Sequence, residues 1–139
     1  MMKAQDPKGG RIINNGSISA HVPRPFSAPY SATKHGAVGF AENLAISHKA
    51  DNIRVSILCP QGVDTNMLRS IPKGPQSGDG DLTAEQVAQD ALKGIEQETF
   101  LILPHPLVLG YMRKKTENYD RWIAGMAKIQ AKLRETHGK

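Results

Sequence analysis

Residues 28–60 read APYSATKHGAVGFAENLAISHKADNIRVSILCP, and this stretch decides the fold. From Tyr30 to about Lys49 the pattern is helical. Ala37, Phe40, Ala41, Leu44 and Ala45 recur at three- and four-residue steps, which lines one face. Asp51 and Asn52 close that helix. Ile53 to Leu58 first alternates and then runs apolar, the pattern of a strand, and Pro60 stops it because proline has no N–H to give a ladder.

Upstream, Lys8-Gly9-Gly10 reads as a turn and Arg11 to Asn14 as a short buried strand that ends in polar Asn15, Gly16 and Ser17. Residues 20–29 hold Pro23, Pro25 and Pro29 and read as a loop. Downstream, residues 70–82 (SIPKGPQSGDGDL) are rich in Gly, Pro and Ser and predict a flexible loop. Thr83-Ala84-Glu85-Gln86 has the form of a capping box, which opens a helix with Val87, Ala88, Ala91, Leu92 and Ile95 as its buried stripe. Phe100 to Leu103 is a third short strand before Pro104. A helical tail, one helix or two, runs from about residue 106 to 135, with Tyr119, Trp122, Ile123, Met126, Ile129 and Leu133 as its apolar stripe. Strand and helix alternating three times is the pattern of an α/β domain with a parallel sheet and crossover helices, here a single domain over residues 1–139. Parallel sheets need helices on both faces, and with so few helices one face is expected to be poorly covered.

Composition narrows the function. Of 139 residues 39% are hydrophobic, and no run approaches the roughly 20 apolar residues of a membrane span. The first ten residues carry Lys3 without an apolar run after it, so no secretory signal is expected. The single Cys59 cannot form an internal disulfide, which points to a reducing, cytoplasmic setting. The net charge is +5, but the basic residues are dispersed. Their tightest cluster, Arg113, Lys114 and Lys115, adjoins Glu117 and Asp120, and no aromatic residues alternate with Lys or Arg as on a base-stacking surface. Nucleic acid and membrane are therefore not expected partners. A modest positive field does suit an anionic ligand such as a phosphorylated cofactor. The histidines show no metal-ligand spacing, so no metal site is expected.

The chemistry lies in Gly16-Ser17-Ile18-Ser19 and Tyr30-Ser31-Ala32-Thr33-Lys34. Tyr30 and Lys34 are four apart and share a helix face. An ammonium near a tyrosine hydroxyl favours the phenolate by Coulomb attraction, and a tyrosine so tuned can donate or accept a proton near neutral pH. Ser17 follows the first strand, at the end of an open α/β sheet where ligands bind, and its hydroxyl can hold an oxygen that gains negative charge. Tyr-x-x-x-Lys alone is weak. Tyr111 and Lys115 repeat it, but Glu98, not Ser, stands thirteen residues before Tyr111, and that pair reads as helix surface.

Around Tyr30 the context resembles the short-chain dehydrogenase/reductase family. RIINNGSISA (11–20) resembles the strand that ends in that family's catalytic Ser, thirteen residues before the Tyr, and APYSATKHGAVGF (28–40) its active-site helix. CPQGVDTNML (59–68) is similar to the Pro-Gly-x-x-x-Thr stretch after the next strand, although Gln61 stands where the family usually has Gly. The resemblance covers about residues 8 to 103 and, more loosely, the tail.

The resemblance implies a partial Rossmann-like, doubly wound parallel sheet and an NAD- or NADP-dependent oxidoreductase that moves a hydride between nicotinamide and a small-molecule alcohol or ketone. It implies Tyr30 as general acid/base, Lys34 as the residue that tunes it and binds the nicotinamide ribose, and Ser17 as holder of the substrate oxygen, with Ser19 a rival at a poorer spacing. Pro60, Gly62, Val63 and Thr65 would border the nicotinamide, and residues 66–82, with Met67 and Leu68, would form a lid over a partly apolar substrate. His21 and Phe26 either line that pocket or pack the loop before Tyr30.

By the same resemblance the chain begins just before the family's fifth strand, and neither Gly-x-x-x-Gly-x-Gly nor Gly-x-Gly-x-x-Gly, the turn that receives a pyrophosphate after the family's first strand, is expected in it. The seat for the adenosine half, the residue that sorts NAD from NADP and the family's catalytic Asn are therefore missing, and the chain alone is expected to be inactive and marginally stable. The longer parent is expected to be a homo-oligomer. The alternative is a non-catalytic module that docks on a full-length partner through residues 35–48. An epimerase or dehydratase of the family's extended branch has little room for its larger substrate domain after Thr65.

Overall fold

A computed structural model describes residues 1–71, 74 and 77–137. The chain runs β1 (Gly10–Asn15), α1 (Ala28–Ser47), β2 (Ile53–Leu58), α2 (Asn66–Arg69), α3 (Ala84–Glu96), β3 (Leu101–Ile102), α4 (Val108–Glu117) and α5 (Tyr119–His137). Its sheet has the order β1-β2-β3 and is parallel throughout. Gly10 pairs with Ile53 at one end of the β1–β2 ladder and Asn15 with Leu58 at the other. Ile57 and Leu58 pair with Leu101 and Ile102. The expected α/β class and parallel strands are the observed ones.

β2 is the centre because its sequence suits burial on both faces. Ile53, Val55 and Ile57 are buried with Cys59, and Val38, Ala41 and Ala20 pack against them. On the other face Ser56 is buried and resolves its hydroxyl by donating to the Thr99 carbonyl at 2.7 Å. α3 covers the β3 side of the sheet, where Gly94 lies so close to Ile102 that an added Cβ would sit 2.5 Å from the Ile102 side chain. β1 is an edge strand, and Ile13 on it remains 45% exposed, so one face is thinly covered where β1 lies.

The helix boundaries follow local chemistry. α1 starts with Pro29 in its first turn, where the missing N–H costs nothing. Asn52 takes a left-handed conformation (φ 58°) and turns the chain into β2. At α3 the capping box is complete: Thr83 Oγ1 accepts from the Gln86 N–H at 3.2 Å, and the Gln86 side chain accepts from the Thr83 N–H at 2.8 Å.

The buried faces differ in detail from the sequence expectation. On α1, Val38 and Ala41 are buried while Phe40 is 61% exposed. On α3, Val87, Ala91 and Gly94 form the inner face, and Ala88 and Leu92 face solvent. The tail is two helices, and none of the stripe named on α5 is fully buried. The predicted loop 70–82 contains an isolated parallel bridge between Val63 and Leu82, which ties its end to the chain after β2. Residues 72, 73, 75 and 76 of the expected lid lie outside the described residues.

Candidate active site

The carboxyl ends of β1 and β2 open into a cleft of about 500 Å³. Hydrogen bonding carries the chain past β1 in register with β2: Gly16 N–H donates to the Leu58 carbonyl at 2.7 Å and Ile18 N–H to the Pro60 carbonyl at 2.8 Å. This approach requires glycine at position 16, because a Cβ there would meet Cys59 Sγ at 2.8 Å and the Leu58 carbonyl at 3.0 Å. Ser17 is thereby set at the sheet end. Its Oγ accepts from the Ser19 N–H at 3.2 Å and caps a short 3₁₀ turn over Ile18–Ala20. The hydroxyl proton is left to donate elsewhere. Ser17 and Ser19 are both buried and both line the cleft.

Tyr30 stands on the first turn of α1, 37% exposed at the cleft wall. Lys34, one turn on, donates from Nζ to the Asn15 carbonyl at 3.1 Å, and Nζ lies 5.6 Å from the Tyr30 ring centroid. The strand end thus fixes the lysine beside the tyrosine. Arg24 lies on the other approach to the same ring, its Cζ 5.9 Å from the centroid. Arg24 and Lys34 are the charged residues of the lining, and no Asp or Glu lines the cleft among the described residues.

The segment after β2 forms another wall. Pro60, Gln61, Val63 and Thr65 line the cleft. Thr65 caps α2, its Oγ1 accepting from the Leu68 N–H and donating to the Val63 carbonyl, both at 3.3 Å. Gly62 does not line the cleft as expected. It is buried behind it, its carbonyl accepting from the Leu82 N–H at 3.0 Å, which anchors the loop from the rear. Met67, Leu68 and Ile71 add apolar surface.

Several neighbours escape a sequence reading. His105, 3% exposed, accepts the Gln61 N–H on Nδ1 at 3.1 Å and so holds the wall from a position 44 residues away. Arg24 gave only a weak signal, a basic residue between Pro23 and Pro25. His21 and Phe26 do not line the cleft. His21 Nε2 lies 3.7 Å from Cys59 Sγ, and the Phe26 ring carries the Arg134 guanidinium 5.7 Å from its centroid. Burial pushes the Cys59 thiol up and the His21 imidazole down, the latter helped by positive charge on His35 and Lys115.

Tyr111 and Lys115 are not the simple helix surface expected. The Tyr111 hydroxyl donates to both carboxylate oxygens of Asp79 at 2.8 and 2.9 Å, a bond that raises its pKa. Lys115 Nζ turns away to the His21 carbonyl at 2.6 Å. The same spacing is here a pair of tethers for α4. The spacing Gly-x-x-x-Gly-x-Gly does occur at Gly74, Gly78 and Gly80, but it follows α2 rather than joining a strand to a helix. Among the described residues no group of three or more His, Cys, Asp or Glu could hold a metal ion, and no helix is long and apolar enough to cross a membrane.

The chain belongs to the short-chain dehydrogenase family, whose model matches residues 1–76. It is 38% identical over 81 residues to the short-chain dehydrogenase srdC of Neurospora crassa, covering 50% of this chain and 30% of that one. It is 35% identical over 80 residues to the NAD(+)-dependent 15-hydroxyprostaglandin dehydrogenase of Mus musculus, covering 56% of this chain and 30% of that one. The chain thus spans about a third of the length of these curated relatives. A short-chain dehydrogenase from Burkholderia cenocepacia, solved with NADP, matches the fold with a TM-score of 0.72 at 24% identity, over 91% of this chain and 52% of that one.

Proposed function

We propose that this chain carries the catalytic and nicotinamide-binding half of an oxidoreductase that interconverts an alcohol and a ketone. The observation that carries this reading is the convergence of Ser17, Tyr30 and Lys34 on one cleft at the carboxyl end of a parallel sheet. The walls fit the nicotinamide end of NAD or NADP. Lys34 Nζ is positioned to donate to the ribose hydroxyls, and Pro60, Val63 and Thr65 form a fixed edge for the carboxamide, with Gly62 buttressing them from behind. A nicotinamide bound there supplies or receives the hydride. Tyr30 donates its phenolic proton to the carbonyl oxygen in reduction and takes it back in oxidation. Lys34, beside the ring, stabilises the phenolate left after donation. Ser17 donates a hydrogen bond to the same oxygen as its charge grows. The apolar side chains of Met67, Leu68 and Ile71 suit a partly apolar substrate.

A reducing, cytoplasmic setting fits the buried, unpaired Cys59. The outer edge of β1, which has no paired strand among the described residues, supports little or no turnover by these residues alone. Exposed Phe40 and Ile46 on α1 favour a second reading, an association surface for another copy or a longer partner, which light scattering of the purified chain tests by molecular mass. In an active protein that contains this chain, Tyr30→Phe is expected to abolish turnover, followed by nicotinamide absorbance, while NADH still binds. Retained turnover would remove Tyr30 from the proton-donor role.

A further inference from the structure

We infer that Arg24 makes this cleft selective for substrates that pair an apolar body with an oxyanion, a carboxylate in the first instance. The inference rests on the reading of the cleft as a substrate site. Two cations line it and no acid answers them among the described residues. They are not equivalent. Lys34 already donates to the Asn15 carbonyl. Arg24 Nε is buried without a hydrogen-bond partner, and none of the ion pairs among the described residues includes Arg24. Arg24 thus lines the cleft with no carboxylate to answer its charge, and an oxygen anion bound there supplies a charge-assisted partner for it.

The backbone presents the group at low entropic cost. Pro23 and Pro25 flank it, and a residue before proline is held near the extended region. Arg24 Cζ sits 5.9 Å from the Tyr30 ring, so an anion paired with it keeps the substrate close to the proposed proton donor. Met67, Leu68, Ile71 and Val87 line the same cleft and offer the apolar remainder of the ligand a surface. A fork of planar donors binds a carboxylate through two parallel bonds, which a lysine in its place cannot do. A phosphate of a bound dinucleotide has the same oxyanion chemistry, and the test separates the two sources.

The test measures binding by calorimetry for 3-hydroxydecanoate and for its methyl ester. The chain is expected to prefer the acid on the order of tenfold. Arg24→Gln is expected to abolish that preference, and Arg24→Lys to keep part of it. Tyr30→Phe is expected to leave it intact. Equal binding of acid and ester, binding of neither, or a preference that survives Arg24→Gln overturns the inference. NADH affinity is expected to be the same with and without Arg24→Gln, and a loss of NADH binding with the acid preference intact assigns Arg24 to a cofactor phosphate and overturns it as well. The catalytic reading fails separately. If Tyr30→Phe retains turnover while the acid preference still depends on Arg24, the proton-donor role falls and the present inference stands.

Discussion

Lys34 holds the site together at the scale of single residues. Its Nζ is tied to the Asn15 carbonyl at the end of β1 and lies 5.6 Å from the Tyr30 ring, so strand and helix share one ammonium. Replacing it with methionine keeps most of the stem and removes the charge. The expected result is a loss of turnover of about a hundredfold or more in an active protein containing this chain, the usual scale for disabling general acid/base catalysis, together with weaker NADH binding. His21 supplies a pH prediction. Burial, His35 and Lys115 lower its pKa, so the unfolded chain binds a proton before the folded one does. Stability is full above the ordinary histidine value of about 6.5 and falls as pH drops from there through the lowered value. Thermal melts across that range are expected to show the decline, and His21→Gln to flatten it. Ser17, Tyr30 and Lys34 were legible because their spacing is local and repeats a known pattern. Arg24 and His105 were not. Each owes its place to a contact set by the fold, with Tyr30 across the loop before α1 in one case and with Gln61 across 44 residues in the other.

At the scale of elements, close approaches and caps decide what the sequence tolerates. Gly16→Ala would drive a Cβ into Cys59 Sγ and the Leu58 carbonyl. A backbone oxygen cannot rotate aside, so the variant is expected to lose about 1–3 kcal/mol in chemical denaturation and to displace Ser17 from the cleft. Thr83→Ala removes the hydroxyl half of the capping box and is expected to cost about 1 kcal/mol. That cap was readable from Thr83 and Gln86 alone, because its geometry is confined to one turn. The strand positions were readable for a similar reason, since Ile53, Val55 and Ile57 alternate on one face of β2 and Pro60 marks its end. The inner faces of the helices were less so. Phe40 and Leu92 fit the apolar periodicity yet face solvent, while the smaller Val38 and Gly94 sit inward, and on α3 the reason is the close approach of Gly94 to Ile102, which leaves no room for a side chain there.

At the scale of the whole molecule, the sheet explains both the site and its exposure. Three parallel strands bring the ends of β1 and β2 together, which is enough to build a cleft. Among the described residues they leave the outer edge of β1 without a hydrogen-bonded neighbour and Ile13 partly bare. Unpaired strand edges template further pairing. The isolated chain is therefore expected to associate as its concentration rises and to melt with low cooperativity, both visible by light scattering and circular dichroism. A sharp, concentration-independent melt of a monomer would contradict this. The proposed seat of a nicotinamide against Lys34 and Thr65 is tested by titrating the chain with NADH and following nicotinamide fluorescence. The expected result is a saturable rise that Lys34→Met and Thr65→Val weaken and Tyr30→Phe preserves. No fluorescence change with folded protein, or binding indifferent to Lys34 and Thr65, would contradict it.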